Sequence, residues 1–260
     1  MTSLSARDLR LVLGNRAVLD GITLAVDQPG LVGIVGPNGA GKTSLLRTLT
    51  GLAKPVSGRV ELDGVPIASL SPRDRARRIG YLPQTANLHW PLTVGRLVAL
   101  GRLPHLAPWA GPGAGDRDAI DRALKAADLS ALVDRSANSL SGGELARALL
   151  ARVIAGEPDL ILADEPVASL DPLHQLRVMD LFRTLAEAGR TIVIVLHDLT
   201  LAVRFCDRLV LLDKGRIVAD DAAESVAQNP ALETTYGVQF ARPVWADADL
   251  LVPWRPGLGP

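Results

Sequence analysis

The sequence holds one cysteine, no excess of charge of either sign and no long apolar run, and each absence excludes something. Cys206 cannot form an internal disulfide, and no Cys/His cluster offers zinc-ligand spacing, which is compatible with a reducing compartment. Nowhere do eighteen apolar residues run together, so no segment is expected to cross a bilayer as a helix. Residues 1–8 carry none of the apolar core of a secretory signal. Basic and acidic residues balance at 28 each, with a pI of about 6.9, so no global attraction to nucleic acid is expected and none is expected as a partner. Only four of the basic residues are lysines: Lys42, Lys54, Lys125 and Lys214. What is present is 260 residues with an apolar fraction of 48%, enough for one large α/β domain carrying a smaller subdomain.

Three short apolar runs stand out: Leu31–Val35, Leu160–Ala163 and Thr191–Leu196, and a shorter one ends at Tyr81-Leu82. Their β-branched content and lack of alternation predict strands of a parallel sheet covered by helices on both faces. Helical patterns over Lys42–Leu49, Glu144–Ala155 and Leu173–Ala188 separate them, which makes the fold α/β with a mostly parallel sheet. Arg10–Leu13, Gly21–Val26 and Arg59–Leu62 largely alternate and predict a separate antiparallel β subdomain near the N-terminus. A stretch of about 85–145, with its Pro/Gly-rich segment at 104–115 and a helix around Asp116–Ala127, reads as a helical subdomain inserted in the core. The core is expected over 1–235 and a tail, ending in a loose hairpin, over 236–260.

Each predicted strand ends in chemistry. After the first comes Gly36-Pro37-Asn38-Gly39-Ala40-Gly41-Lys42-Thr43, followed by Ser44. This spacing is the phosphate-loop pattern of nucleoside triphosphatases. Its glycines let backbone amides approach a polyphosphate, and the helix starting near Lys42 aims its N-terminal amides at the same anion. Lys42 brings a full charge to the outer phosphates, and the Thr43 hydroxyl is a hard ligand for Mg²⁺. After the second strand come Asp164 and Glu165, of which Asp164 can hold Mg²⁺ and Glu165 can polarise the water that attacks the γ-phosphorus. His197 follows the third strand and Gln84 the fourth. In open parallel sheets ligands sit beyond the carboxyl ends of the strands, so these groups are expected to face one ligand.

Leu140-Ser141-Gly142-Gly143-Glu144 precedes a helix and has the build of a second anion site: a serine cap, small residues and a positive helix end. Alone, such a string is an ordinary cap. Twenty residues before the acidic pair it is much more specific. GPNGAGKT at 36–43, LPQ at 82–84, LSGGE at 140–144, LILADEP at 160–166, SLDP at 169–172 and VLHD at 195–198 give the chain its resemblance, over about residues 8–240, to the ATP-binding-cassette ATPases.

That resemblance implies a head-to-tail pair of copies with two ATPs at the interface. Ser141, Gly142 and Gly143 of one copy would close over ATP held by the other, with Asp171 coupling the two sites. Gln84 would contact Mg²⁺ or the water, and His197 the γ-phosphate. It also implies two transmembrane permease subunits as partners, contacted through Thr85–His105, an extracytoplasmic binding protein acting through them, and a place at the cytoplasmic face of the inner membrane. Gly101–His105, Leu170–Gln175 and Tyr236-Gly237-Val238 narrow the likeness to importer ATPases for ferric siderophores, haem and cobalamin. Another imported cargo, or a soluble cassette protein of translation or DNA repair, are the alternatives. The latter usually pairs two cassettes or inserts coiled coils, and this chain does neither.

Three positions depart from the family pattern. Leu13 stands where an aromatic usually stacks on adenine, Ala146 replaces a Gln beyond the signature, and Val167-Ala168-Ser169 follows the acidic pair. Base stacking on an aromatic is worth about 1–3 kcal/mol. Leu13→Tyr is therefore expected to tighten ATP binding several-fold in a nucleotide titration, and an unchanged affinity would put the base elsewhere.

Overall fold

The computed structural model describes residues 2–84, 91–107, 109, 111–168, 170–245 and 248–257. Residues 85–90 of the expected insertion, including Thr85 and His89, and Ser169 lie outside these.

The chain opens with β1 (Leu4–Leu13) and β2 (Arg16–Val26), then β3 (Gly30–Val35) and α1 (Lys42–Leu49). Next come β4 (Ser57–Leu62), β5 (Val65–Pro66), α2 (Pro72–Arg78) and β6 (Ile79–Leu82). A helical stretch follows, with α3 (Val94–Ala99), α4 (Ala114–Ala126) and α5 (Gly142–Ala155). The core resumes with β7 (Leu160–Asp164), α6 (Pro172–Glu187), β8 (Thr191–Val195), α7 (Leu199–Phe205), β9 (Arg208–Asp213) and β10 (Arg216–Ala222). The C-terminal part holds α8 (Ala223–Gln228), α9 (Pro230–Tyr236), β11 (Val238–Ala241), β12 (Val244–Trp245), β13 (Ala248–Asp249) and β14 (Val252–Pro256).

Two sheets organise these elements. One has the order β10-β9-β3-β8-β7-β6, parallel except for β10, and the other is antiparallel with the order β2-β1-β4-β5. This is the α/β cassette expected from the sequence, with two more strands in the central sheet, β9 and β10, than the apolar runs predict. The hairpin expected in the tail is two antiparallel pairs, β11 with β14 and β12 with β13.

The central sheet divides the apolar interior in two, and the strands show why they read as unbroken apolar runs. Leu31 and Val35, Ile161 and Ala163, Ile192 and Ile194, and Leu209 and Leu211 face a core built with α3–α8. Their neighbours Val32 and Ile34, Leu160 and Leu162, Val193 and Val195, and Val210 and Leu212 face a second core with α1 and the antiparallel sheet. Side chains alternate with a period of two, so covering both faces demands apolar residues at every position. Full burial of each such Leu, Ile or Val is worth about 1.5–3 kcal/mol, which pins the strand register and with it the strand ends.

Cys206, at the corner between α7 and β9, is buried, and burial pushes its thiol pKa up, keeping it protonated. A maleimide at pH 8 is therefore expected to leave the native protein unlabelled and to modify it fully only in denaturant. Rapid labelling of the folded protein, followed by mass spectrometry, would reveal that this corner opens.

Candidate functional site

The parallel strands β3, β8, β7 and β6 all end on one edge of the central sheet, and the candidate residues gather there. The loop from Gly36 to Gly41 leaves β3 and enters α1. Gly36 has φ 150° and Gly41 φ 104°. A Cβ on Gly36 would come within 2.1 Å of the Leu212 carbonyl oxygen, and one on Gly41 within 2.9 Å of that of Val18. Only glycine suits this conformation and this approach. The buried Lys42 ammonium curls back over the loop and donates to the carbonyls of Gly36 at 2.7 Å and Pro37 at 3.0 Å. Ala40 is buried and ties the loop to the β9–β10 turn by accepting from the Gly215 N–H at 2.9 Å.

Above this loop lies a cavity of about 410 Å³, lined by Asn38, Gly39, Gly41, Lys42, Thr43 and Ser44 together with Glu165. Burial lowers the Lys42 pKa, against the Glu165 and Asp164 carboxylates, which favour its charged form. Thr43 Oγ1 donates to Asp164 Oδ1 at 3.1 Å. Asp164 is 1% exposed, and burial raises its pKa, with Glu165 adding to the shift and the Thr43 bond and Lys42 opposing it.

Glu165 stands at the centre of the three remaining strand ends. Gln84, beyond β6, donates through Nε2 to one carboxylate oxygen, and His197, beyond β8, donates through Nε2 to the other. Glu165 also has φ 50°, the left-handed region, which costs a non-glycine residue about 1–3 kcal/mol. The fold holds this carboxylate in place by its backbone and by both of its oxygens.

The signature caps α5 as its composition predicts. Ser141 Oγ accepts from the Glu144 N–H, and the Glu144 carboxylate accepts from the Ser141 N–H at 2.8 Å. The Ser141 bonds to Glu144 hold its carboxyl below the usual range. Asp171 caps α6, accepting from the His174 N–H at 2.9 Å, and those bonds lower its pKa. The His174 ring lies flush against Gly143, where a Cβ would be 2.2 Å from the ring. Ser141, Gly142, Gly143 and Asp171 do not line the phosphate-loop cavity of their own chain. Gly142 instead borders a second cavity of about 180 Å³ that Gln84, Glu165 and Ala146 also line.

Four cavity-lining residues escape the sequence reading: Arg16, Ala17 and Val18 at the start of β2, and Lys214 in the β9–β10 turn. The signal for Lys214 is the run Leu209–Leu212, a strand whose end brings Lys214 to the same edge as the loop. Arg16 carries no local signal. Leu13 pairs with Arg16 across the hairpin and is 54% exposed, outside the cavity lining. Opposed residues project to the same face, so residue 13 borders the rim.

The donors suit a nucleotide with a hard cation. Thr43, Asp164 and Gln84 supply hydroxyl, carboxylate and amide oxygens, the ligand chemistry of Mg²⁺. Among the described residues no group of three or more His, Cys, Asp or Glu could hold a metal alone, so the cation would draw further ligands from phosphates and water.

The profile of the ABC transporter family matches residues 19–168. The chain is 42% identical over 243 residues to the hemin import ATP-binding protein HmuV of Pseudomonas putida, covering 90% of this chain and 92% of that one. Its structure superposes with a TM-score of 0.85 on a metal-chelate type ABC transporter in an inward-facing conformation, at 25% identity and 98% coverage of both chains. A bacterial ABC transporter cassette solved as a dimer matches with a TM-score of 0.74 and 30% identity, over 85% of this chain and 98% of that one. Among the described residues no helix is long and apolar enough to cross a membrane. With its phosphate loop, acidic pair and signature in these places, the chain belongs to the ABC transporter family and is an ATP-binding ABC ATPase.

Proposed function

We propose that this ATPase drives uptake of haem or a closely related metal chelate, working as a pair of identical copies beneath two transmembrane permease subunits. The observation that carries the cargo reading is the 42% identity, over nine-tenths of both chains, with a hemin import ATP-binding protein. The metal-chelate type transporter that matches over 98% of the chain supports the same class.

In this reading the amides of residues 36–43 and the Lys42 ammonium cradle the β- and γ-phosphates of ATP. Thr43 and Asp164 would hold Mg²⁺, with Gln84 beside them, and the cation would supply neutralisation of the charge that develops on the phosphoryl group. Glu165 takes a proton from the water as its oxygen bonds to the γ-phosphorus and the bond to the bridging oxygen breaks. Gln84 and His197 keep the Glu165 carboxylate aimed, and His197 also reaches the γ-phosphate.

The signature completes the site from the second copy. Ser141, Gly142 and Gly143 stand outside the phosphate-loop cavity of their own chain, which leaves the cap and helix end of α5 free for the partner's γ-phosphate. Asp171 lies beside that junction and links the two sites. A groove beside α3, bordered by Leu100 and Leu103, 38% and 59% exposed, receives the permease and holds the subunit at the cytoplasmic face of the inner membrane.

The test is uptake by cells lacking the chain, supplied with labelled haem, ferric siderophores or cobalamin. Loss of haem uptake, restored by the native gene and not by a Glu165→Gln copy, is the expected result. Intact haem uptake with loss of another cargo would reassign the substrate.

A further inference from the structure

The phosphate loop has a tether that neither the phosphate-binding pattern nor the signature accounts for. Tyr236 ends α9, and the chain turns away at Gly237 with φ 63°. Its hydroxyl oxygen accepts the N–H of Gly36 at 2.7 Å, across 200 residues of sequence. Gly36 is the first residue of the loop, and its carbonyl is the one that receives the Lys42 ammonium at 2.7 Å. The Leu212 carbonyl crowds its Cα from β9. Gly36 is therefore gripped at its N–H by the C-terminal segment, at its carbonyl by Lys42, and at its Cα by the central sheet.

The tyrosine is itself fixed from behind. Its ring meets Phe240 edge-on, with centroids 6.1 Å apart at 86°, and Phe240 is buried in the larger core beside Leu232 and Leu251. The Gly257 N–H closes the end of the hairpin onto the Gly237 carbonyl at 2.7 Å. Burial pushes the phenol pKa up to about 12, so the hydroxyl stays neutral at physiological pH. A neutral hydroxyl is a directional acceptor for one amide and adds no charge beside the phosphates. Were the hydroxyl missing, the Gly36 amide would lose its acceptor, and a backbone donor left unpaired shifts until it finds water or another oxygen.

We propose that Tyr236 is a positioning residue for ATP binding: its hydroxyl holds the first peptide of the phosphate loop in the nucleotide-ready orientation and so couples the C-terminal segment to the nucleotide site. The proposal rests on the reading of residues 36–43 as the phosphate cradle. A loop that visits the ready state only part of the time binds with an affinity reduced by that fraction, while chemistry in the filled site is little altered. Coupling is reciprocal, so bound nucleotide must also steady α9 and β11.

Tyr236→Phe removes the oxygen and keeps the ring. The expected result is a rise of roughly fivefold to tenfold in Kd and KM for ATP, from one lost acceptor, with kcat at saturating ATP within about twofold. Phe240→Leu, which loosens the packing behind the ring but keeps the hydroxyl, is expected to lower Tm and to raise KM less than Tyr236→Phe does. A purely structural role predicts the opposite for Tyr236→Phe: a lowered Tm and unaltered KM, which would overturn the proposal. If Tyr236→Phe fails to fold, hydrogen exchange on the native protein decides. Slower exchange over residues 229–241 on adding ATP supports the coupling, and identical exchange with and without ATP refutes it. Lys42→Ala separates the two levels of the reading. Normal ATP binding in that variant would reject the phosphate cradle itself, whereas lost binding there with unchanged KM in Tyr236→Phe rejects only the tether.

Discussion

Glu165→Gln is expected to bind ATP and to lose at least about 10²-fold in turnover, as removal of a general base does. A hundredfold loss is about 2.7 kcal/mol of transition-state stabilisation. The local geometry makes this substitution a clean one. The Glu165 carboxylate accepts from Gln84 on one oxygen and from His197 on the other. In the variant the amide oxygen still accepts from Gln84, and the amide NH₂ donates to His197 Nε2 once the imidazole takes its other tautomer. Both contacts survive and the left-handed backbone at this position is unchanged, so the fold and the cradle for ATP persist. What disappears is the ability to accept a proton from water. Because ATP then stays bound, mass action favours any assembly that requires it, and the variant is expected to accumulate as a closed dimer. Single-turnover hydrolysis, ATP titration and light scattering with and without ATP check the three parts separately. Full turnover would assign water activation to another group.

The central strands were legible because burial on both faces leaves a trace in composition. Leu160–Ala163 and Thr191–Leu196 admit almost nothing polar, and the two apolar cores on either side of the sheet explain why. The phosphate loop was legible because backbone approach to a polyphosphate demands glycine at fixed spacing, and Gly36 and Gly41 meet neighbouring carbonyls that exclude any side chain. The acidic pair and the signature could be read from position relative to strand and helix starts. Other parts are products of long-range register, which spacing does not encode. Arg16, at the start of β2, and Lys214, in the β9–β10 turn, reach the cavity from two different sheets, and nothing near Arg16 in the sequence marks it. The grip on Glu165 by residues 81 and 32 positions away needs three strands aligned side by side. The Tyr236–Gly36 bond joins the far ends of the chain. Leu13 is paired with Arg16 across the hairpin, a juxtaposition that motif alignment alone does not give.

Lys42→Ala should fail at an earlier step, the capture of nucleotide. The ammonium lies buried within the loop and donates to the Gly36 and Pro37 carbonyls, so on the proposed cradle it would meet the phosphates from a side chain already held in place. A hydrogen bond to a charged group is worth about 1.5–3 kcal/mol, and losing it weakens binding roughly 10- to 100-fold. The substitution also removes the ammonium that favours the charged form of Asp164. Burial and Glu165 already raise the Asp164 pKa, and the loss of Lys42 raises it further. The native protein offers a second check through pH. Burial lowers the Lys42 pKa, so as pH rises its proton is lost before that of an exposed lysine. ATP binds the protonated form, and affinity must therefore fall with rising pH in a window below the ordinary lysine range. The Ala variant, having no such proton to lose, should show weak binding without that alkaline decline. Isothermal titration of both proteins between neutral and alkaline pH measures this difference. Tight binding by the variant, or the same alkaline decline in both, would remove Lys42 from the phosphate contact.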